Sequence, residues 1–342
     1  MKAMILENTG SMLENKPPLT LVDMTRPEPH GDDLLVRVSV CGVCHTELDE
    51  IEGRTPPPML PMIPGHQVVG RVHGLGPDAH GYKPGDRVGV AWIFSACGGC
   101  RFCRDGYENL CQDFKATGRD AHGGYAEYMT VSERFVYRIP DFFSDREAAP
   151  LLCAGAIGYR SLHLTHLVNG QHLGLTGFGA SAHLVMKLAS HLYPDTRIYV
   201  FARSENEQTF ARELGAAWAG NTHDTAPVKL DAIIDTTPAW TPVVEALGNL
   251  AAGGRLVINA IRKEGSDQEY FLNLDYASHL WLEKEIKSVA NVTRQDVETF
   301  LALAADMRIR PEVQEFALAD ANQALLELKN RKIRGAKVLV VK

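Results

Sequence analysis

His172-Leu-Gly-Leu-Thr-Gly177-Phe-Gly179-Ala-Ser-Ala182 is the stretch that decides the fold. Residues 172–176 form a short apolar run that reads as a strand, and His183-Leu-Val-Met-Lys-Leu-Ala189 continues as a helical run. Gly177 and Gly179 fill the first two positions of a Gly-x-Gly-x-x-Gly/Ala pattern, and Ala182 fills the third. The first glycine allows a tight turn, the second lets a pyrophosphate approach backbone N–H groups, and a small third residue lets helix pack on strand. The anion would then sit at a helix N-terminus, where the dipole favours it. An ordinary tight strand–helix turn is the alternative. The strand before the glycines and the helix after them favour the dinucleotide site.

The same alternation continues downstream. Strands are expected at 197–201, 231–235 and 255–259, with helices at 205–214 and 242–250 between them. Repeated strand–helix units of this length predict a parallel, doubly wound sheet. Upstream, the first 140 or so residues read as strand and turn. Residues 34–40, 68–72 and 86–90 are rich in β-branched side chains, and Lys83-Pro-Gly-Asp86 and Thr55-Pro-Pro-Pro58 mark turns or stiff loops. A chain of 342 residues is about right for two domains.

Four of the seven cysteines lie together in the β-rich half, as Cys97-Gly-Gly-Cys100-Arg-Phe-Cys103 and then Cys111. Four thiolates on one short loop can close a tetrahedral shell around zinc. Two disulfides so close together would be strained, and a redox dithiol needs only two cysteines, so structural metal is the reading adopted. Cys41, Cys44 and Cys153 are dispersed. With His66, in Pro64-Gly65-His66-Gln67, Cys44 and Cys153 make a mixed Cys/His set of the kind that holds a catalytic zinc with one position open. Each piece alone is weak, since a lone cysteine is usually a small core residue.

Composition narrows the function further. The formal net charge is −7 and no long basic run occurs, which argues against nucleic-acid binding and so against a DNA-binding zinc ribbon. No apolar stretch reaches about 18 residues and the N-terminus lacks a signal-type apolar segment, so a cytoplasmic chain with no membrane span is expected.

Taken in order, these motifs resemble the zinc-containing alcohol dehydrogenases of the medium-chain dehydrogenase/reductase superfamily. Gly-Val-Cys44-His45-Thr46, Pro64-Gly65-His66, the four-cysteine lobe, Gly123-Gly-Tyr-Ala-Glu-Tyr128, Leu-Leu-Cys153-Ala-Gly, the Gly177 turn and Ile333-Arg334-Gly335-Ala-Lys-Val338 all follow the family's sequence order. The resemblance implies a β-rich GroES-like catalytic domain, residues 1–150 and 292–342, and a doubly wound Rossmann coenzyme domain inserted at 151–291. It implies two zinc ions per subunit: a catalytic one on Cys44, His66 and Cys153, and a structural one on Cys97, Cys100, Cys103 and Cys111. Cys41 is left as a core residue. The catalytic zinc would act as a Lewis acid on an alcohol or carbonyl while hydride passes to or from NAD or NADP.

The resemblance further makes Thr46 the first proton-relay hydroxyl and Glu47 the acid that orients a metal-bound histidine. It brings His45 to the coenzyme pyrophosphate, Ile157 to the nicotinamide face and Arg334 to the coenzyme. Trp92 and Phe94 would line the substrate pocket. Two positions depart from the family pattern. Gln67 replaces a frequent glutamate, and Asp49 stands where the relay residue is often histidine. The strand at 197–201 leads into Ala202-Arg203-Ser204 rather than a carboxylate, and Arg203 and Ser204 could bind a 2′-phosphate. NADP is therefore favoured over NAD, although Glu205 follows one residue later. The expected substrate is a small alcohol or aldehyde, with polyol or aryl-alcohol dehydrogenation as the alternative within the superfamily, and the expected assembly is a homodimer or homotetramer. A zinc-free quinone or enone reductase of the same fold would lack the Cys44, His66 and Cys153 set.

Overall fold

The strand Asp33–Val43 organises the first half of the molecule. In the computed structural model, which describes residues 1–13, 17–330 and 335–341, this strand runs three residues beyond the expected 40. The extension follows from its neighbour. The strand Ala336–Val340 returns from the far end of the chain and pairs antiparallel with it, placing Leu339 opposite Cys41 and Lys337 opposite Val43. On the other side Val68–Leu75 pairs antiparallel, with Cys41 opposite Val68. The sheet continues through Arg87–Val90 to Val136–Arg138 on one flank and to Val313–Ala317 on the other. Leu34, Val36, Val38, Val68, Val88 and Leu339 pack together in its core.

The chain divides into two compact units, Met1–Cys153 with Val292–Lys342, and Ala154–Asn291. The first switch falls after Cys153, not after residue 150. Leu151–Gly155 forms a π-helical turn, and Leu152 covers Gly89 of the first unit so closely that a Cβ on Gly89 would lie 3.0 Å from both Leu152 Cδ atoms. Cys153 is thereby held with the other metal-ligand candidates.

The second unit contains six parallel strands, ordered Trp218–Gly220, Arg197–Phe201, His172–Thr176, Leu230–Asp235, Leu250–Ile258 and Glu285–Ser288. In chain order this is third, second, first, fourth, fifth, sixth. It is the doubly wound arrangement whose order reverses between the first and fourth strands. The helix Ala180–Leu192 starts directly after Gly179, and no side chain caps its first turn. Gly177 takes φ +73°, and a Cβ there would lie 2.9 Å from Thr237 Cγ2, so both the turn and its neighbour require glycine. Among the described residues no helix is long and apolar enough to cross a membrane.

Gly65, at φ +100° immediately before His66, is a tight backbone position near the first sheet. A Cβ there would meet Tyr125 Cδ1 at 2.4 Å and Cys41 Sγ at 2.8 Å. Gly65→Ala combines a disfavoured φ with overpacking and is expected to cost about 3 kcal/mol. Thermal denaturation should show a clear loss in Tm, whereas Gly10→Ala, where a Cβ would meet nothing within 4 Å, should leave Tm unchanged.

Candidate metal and coenzyme sites

Cys44 is the N-cap of the short helix His45–Ile51, and its Sγ accepts from Thr46 N at 3.3 Å. Glu47, in the same first turn, is fully buried. Its Oε2 accepts from Cys44 N at 2.8 Å, and its Oε1 lies 2.6 Å from His66 Nδ1. His66 reaches this position because the antiparallel register sets the start of Val68–Leu75 beside the end of Asp33–Val43, with Gly42 N donating to Gln67 O at 2.9 Å. Gln67 is itself buried and turned back on the strand: a Cβ on Gly42 would lie 2.6 Å from its Oε1. The other imidazole nitrogen, His66 Nε2, lies 3.6 Å from Cys44 Sγ and 3.3 Å from Cys153 Sγ.

These distances test whether zinc fits. Tetrahedral zinc with bonds of about 2.3 Å to sulfur and 2.0–2.1 Å to nitrogen has S···N edges of about 3.6 Å and S···S edges of about 3.8 Å. The three donor atoms of Cys44, His66 and Cys153 all lie within 4.8 Å of one another. The facing Cys153 thiol, and then burial, push the Cys44 thiol well above its usual range. A dication among the donors reverses that balance, because a coordinating thiol is deprotonated outright. Burial disfavours a charged His66, but Glu47 and Cys44 outweigh it and hold the imidazole above its ordinary value. The set therefore fits a zinc with three protein ligands.

The second cluster is all sulfur. Cys97, Cys100, Cys103 and Cys111 also have their donor atoms within 4.8 Å of one another, with Cys97 Sγ 3.9 Å from Cys103 Sγ. Backbone N–H groups point at the sulfurs: Cys100 N donates to Cys97 Sγ at 3.3 Å, and Cys97 N donates to Cys111 Sγ at 3.5 Å. Backbone hydrogen bonds from Cys100 and Gly99 draw the Cys97 thiol down to about 7, towards the thiolate that zinc needs. All seven cysteines are free thiols.

The remaining candidates fall in several places. Thr46 is buried beside Cys44, and His45 is exposed at the start of the helix. Asp49 is buried, and its Oδ1 is held by Arg54 Nε at 2.6 Å. Trp92 packs edge-on against His66 with ring centroids 4.9 Å apart, while Phe94 is partly buried against the core of the first unit. In the second unit, Gly177, Gly179 and Ala182 form the turn and helix start described above, and Ile157 is half-buried in the helix Ala156–Thr165. Arg203 is exposed. Ser204 caps the helix Glu205–Glu213, donating to Glu207 Oε2 at 2.8 Å and accepting from Glu207 N at 3.2 Å. Arg334 lies outside the described residues.

Sequence reasoning missed Glu50. It is 1% exposed, and neither carboxylate oxygen has a hydrogen-bond partner. Burial, and then the nearby Glu47, raise its pKa well above the carboxylate range. The available signal was the Glu47-x-x-Glu50 spacing, which puts both side chains on one helix face. Arg119 was missed as well. Its guanidinium lies 5.9 Å from the Trp92 ring centroid and is paired with Asp120 at 2.7 Å.

Residues 30–141 match the alcohol dehydrogenase GroES-like domain. The chain is 43% identical over 329 residues, covering 95% of this chain and 93% of the relative, to the probable alcohol dehydrogenase AdhA of Mycobacterium tuberculosis (strain CDC 1551 / Oshkosh). It belongs to the zinc-type alcohol dehydrogenases of the medium-chain dehydrogenase/reductase superfamily. An alcohol dehydrogenase of Geobacillus stearothermophilus is 31% identical over 350 residues, covering 100% of both chains. Among solved structures, the cinnamyl alcohol dehydrogenases of Sorghum bicolor are similar with a TM-score of 0.84 and 25% identity, over 99% of this chain and 97% of that one.

Glu47→Ala removes the group that touches both Cys44 and His66. It should weaken zinc binding at this site by about 10- to 100-fold, the usual effect of losing a partner of a metal-bound histidine. Competition with a chromophoric chelator checks this, and the metal of the four-cysteine lobe should be released as in the wild type.

Proposed function

We propose that this chain interconverts an alcohol with its aldehyde or ketone at a zinc held by Cys44, His66 and Cys153, using a nicotinamide coenzyme bound to the second unit. The observation that carries this is the three-donor set, with Glu47 joining Cys44 N to His66 Nδ1. Zinc bound there supplies a Lewis acid that polarises a carbonyl or makes an alcohol more acidic, and the coenzyme supplies or takes the hydride. Glu47 orients His66 and selects the tautomer that leaves Nε2 for the metal. Thr46, held beside Cys44 by its own N–H, offers the first hydroxyl for the substrate proton. Asp49 takes the next place, held there by Arg54 Nε at 2.6 Å. Trp92 walls the imidazole and with Phe94 borders the space for a small alcohol. His45, exposed at the helix start, is assigned to the coenzyme pyrophosphate. The four-cysteine set has no open position, so its zinc is structural.

NADP is the proposed coenzyme. Ala202 is buried and brings no carboxylate to repel a 2′-phosphate. Because the Ser204 hydroxyl is engaged with Glu207, the phosphate contact falls to Arg203. The chain is proposed to act in the cytoplasm, where thiols stay reduced, and as a homodimer or homotetramer. Leu272, Trp281 and Ile286 are 88%, 54% and 42% exposed on the second unit and would be covered by another copy.

Alcohol-dependent reduction of NADP and NAD, before and after chelation, tests this reading. Activity should disappear on chelation and return with zinc, and kcat/KM should be higher with NADP. Arg203→Ala should weaken NADP by about tenfold to a hundredfold, the value of one charge-assisted hydrogen bond, and leave NAD nearly unchanged. Wild-type preference for NAD, or equal harm to both coenzymes, would remove Arg203 from the coenzyme site.

A further inference from the structure

The carboxyl ends of His172–Thr176 and Leu230–Asp235 carry a buried polar cluster that the chemistry above does not use. Asp235 is 0% exposed. Its Oδ1 accepts from Thr176 Oγ1, from Thr237 Oγ1 at 2.8 Å and from Thr237 N at 3.3 Å. Its Oδ2 is paired with Lys263 Nζ, which also donates to Thr237 O at 2.8 Å and Ala239 O at 3.0 Å. An ammonium has three protons, and all three are engaged inside the protein.

Stability alone gives a poor account of such a pair. Two desolvated charges are often replaceable by apolar groups of similar volume without loss. What the pair holds is more telling. Lys263 bonds to two carbonyls of the segment that leaves the Leu230–Asp235 strand, and Asp235 holds Thr237 of the same segment by two hydrogen bonds. Thr236 N and Oγ1 donate to Thr176 O at 3.0 and 2.9 Å. A Cβ on Gly177 would lie 3.0 Å from Thr236 Oγ1 and 2.9 Å from Thr237 Cγ2. The segment therefore lies directly against the glycine turn. It stands where the strand order reverses, the place outside the carboxyl ends where open parallel sheets bind ligands.

We propose that the Asp235–Lys263 pair is a positioning device for the coenzyme. It holds residues 236–239 as the wall opposite the Gly177 turn, so that the dinucleotide meets a preformed crevice. The proposal rests on the reading that the second unit binds a nicotinamide coenzyme. Neither residue touches the coenzyme in this account; both act through Thr236, Thr237 and the turn.

Lys263→Met alone strands a buried carboxylate and can unfold the unit, so the informative variant is Asp235→Asn with Lys263→Met, which removes both charges at similar volume. On zinc-loaded full-length protein, fluorescence titration gives Kd for NADPH and NADH, steady-state kinetics gives KM for coenzyme and for alcohol, and thermal melting gives Tm. The paired variant should keep its Tm and its KM for alcohol, while Kd and KM for both coenzymes rise by about tenfold or more, as expected for a misplaced wall. Unchanged coenzyme Kd in the folded paired variant would overturn the proposal. Failure of that variant to fold would overturn it too, because the pair would then hold the unit and not the crevice. Wild-type protein that bound neither coenzyme would instead overturn the coenzyme reading itself.

Discussion

The carboxylate of Glu47 is the contact on which the candidate metal site depends. It is fully buried, it accepts the N–H of one ligand candidate, and it lies against the ring of another. A buried carboxylate is tolerable only when its charge is answered. Here one oxygen meets Cys44 N at the start of a helix, where the dipole also favours negative charge, and the other meets His66 Nδ1. The same contact places Nδ1 of His66 against Glu47, while Nε2 faces Cys44 and Cys153. The ladder that pairs Cys41 with Val68 and with Leu339 brings the two ligand-bearing strand ends together. The return of the last strand to this sheet is therefore part of building the site.

Three buried carboxylates show three solutions to the same problem. Glu47 is answered by a backbone N–H and an imidazole. Asp235 is answered by a lysine and two threonine hydroxyls. Glu50 has no hydrogen-bond partner for its carboxylate, and burial pushes its pKa up. The first two tie down chain segments, one beside the candidate metal site and one beside the proposed coenzyme crevice. The four-cysteine lobe solves a different problem. It is a short, partly exposed loop with little apolar core, and on the proposed reading metal–sulfur bonds would supply the folding energy that packing cannot.

Much of this was legible in the sequence because the signals are covalently close. The Cys97, Cys100 and Cys103 spacing, the Gly177 turn with its flanking strand and helix, and the Cys44-His45-Thr46 run each carry their geometry within about a dozen residues. Cys153 and His66 gained meaning from the order of the family motifs, not from their neighbours. What stayed hidden depends on partners far along the chain or on burial. Lys263 and Asp235 are paired across two connections. The extension of Asp33–Val43 depends on a strand nearly 300 residues away. The engagement of Asp49 by Arg54 and of Ser204 by Glu207 is local, but only the backbone shows that each side chain turns inward to its partner. Glu50 resembles a solvent-facing helix residue in a linear reading, and only its 1% exposure reveals the difference.

Zinc K-edge absorption combined with elemental analysis of fully zinc-loaded protein tests the central claim, that this chain builds one closed and one open zinc site, most directly. A four-sulfur shell averaged with a shell of two sulfurs, one nitrogen and one oxygen gives about three sulfurs and one lighter atom per zinc. That average together with two zinc ions per chain is the expected result. A single zinc in an all-sulfur shell, in protein that oxidises alcohol at its full rate, would contradict it.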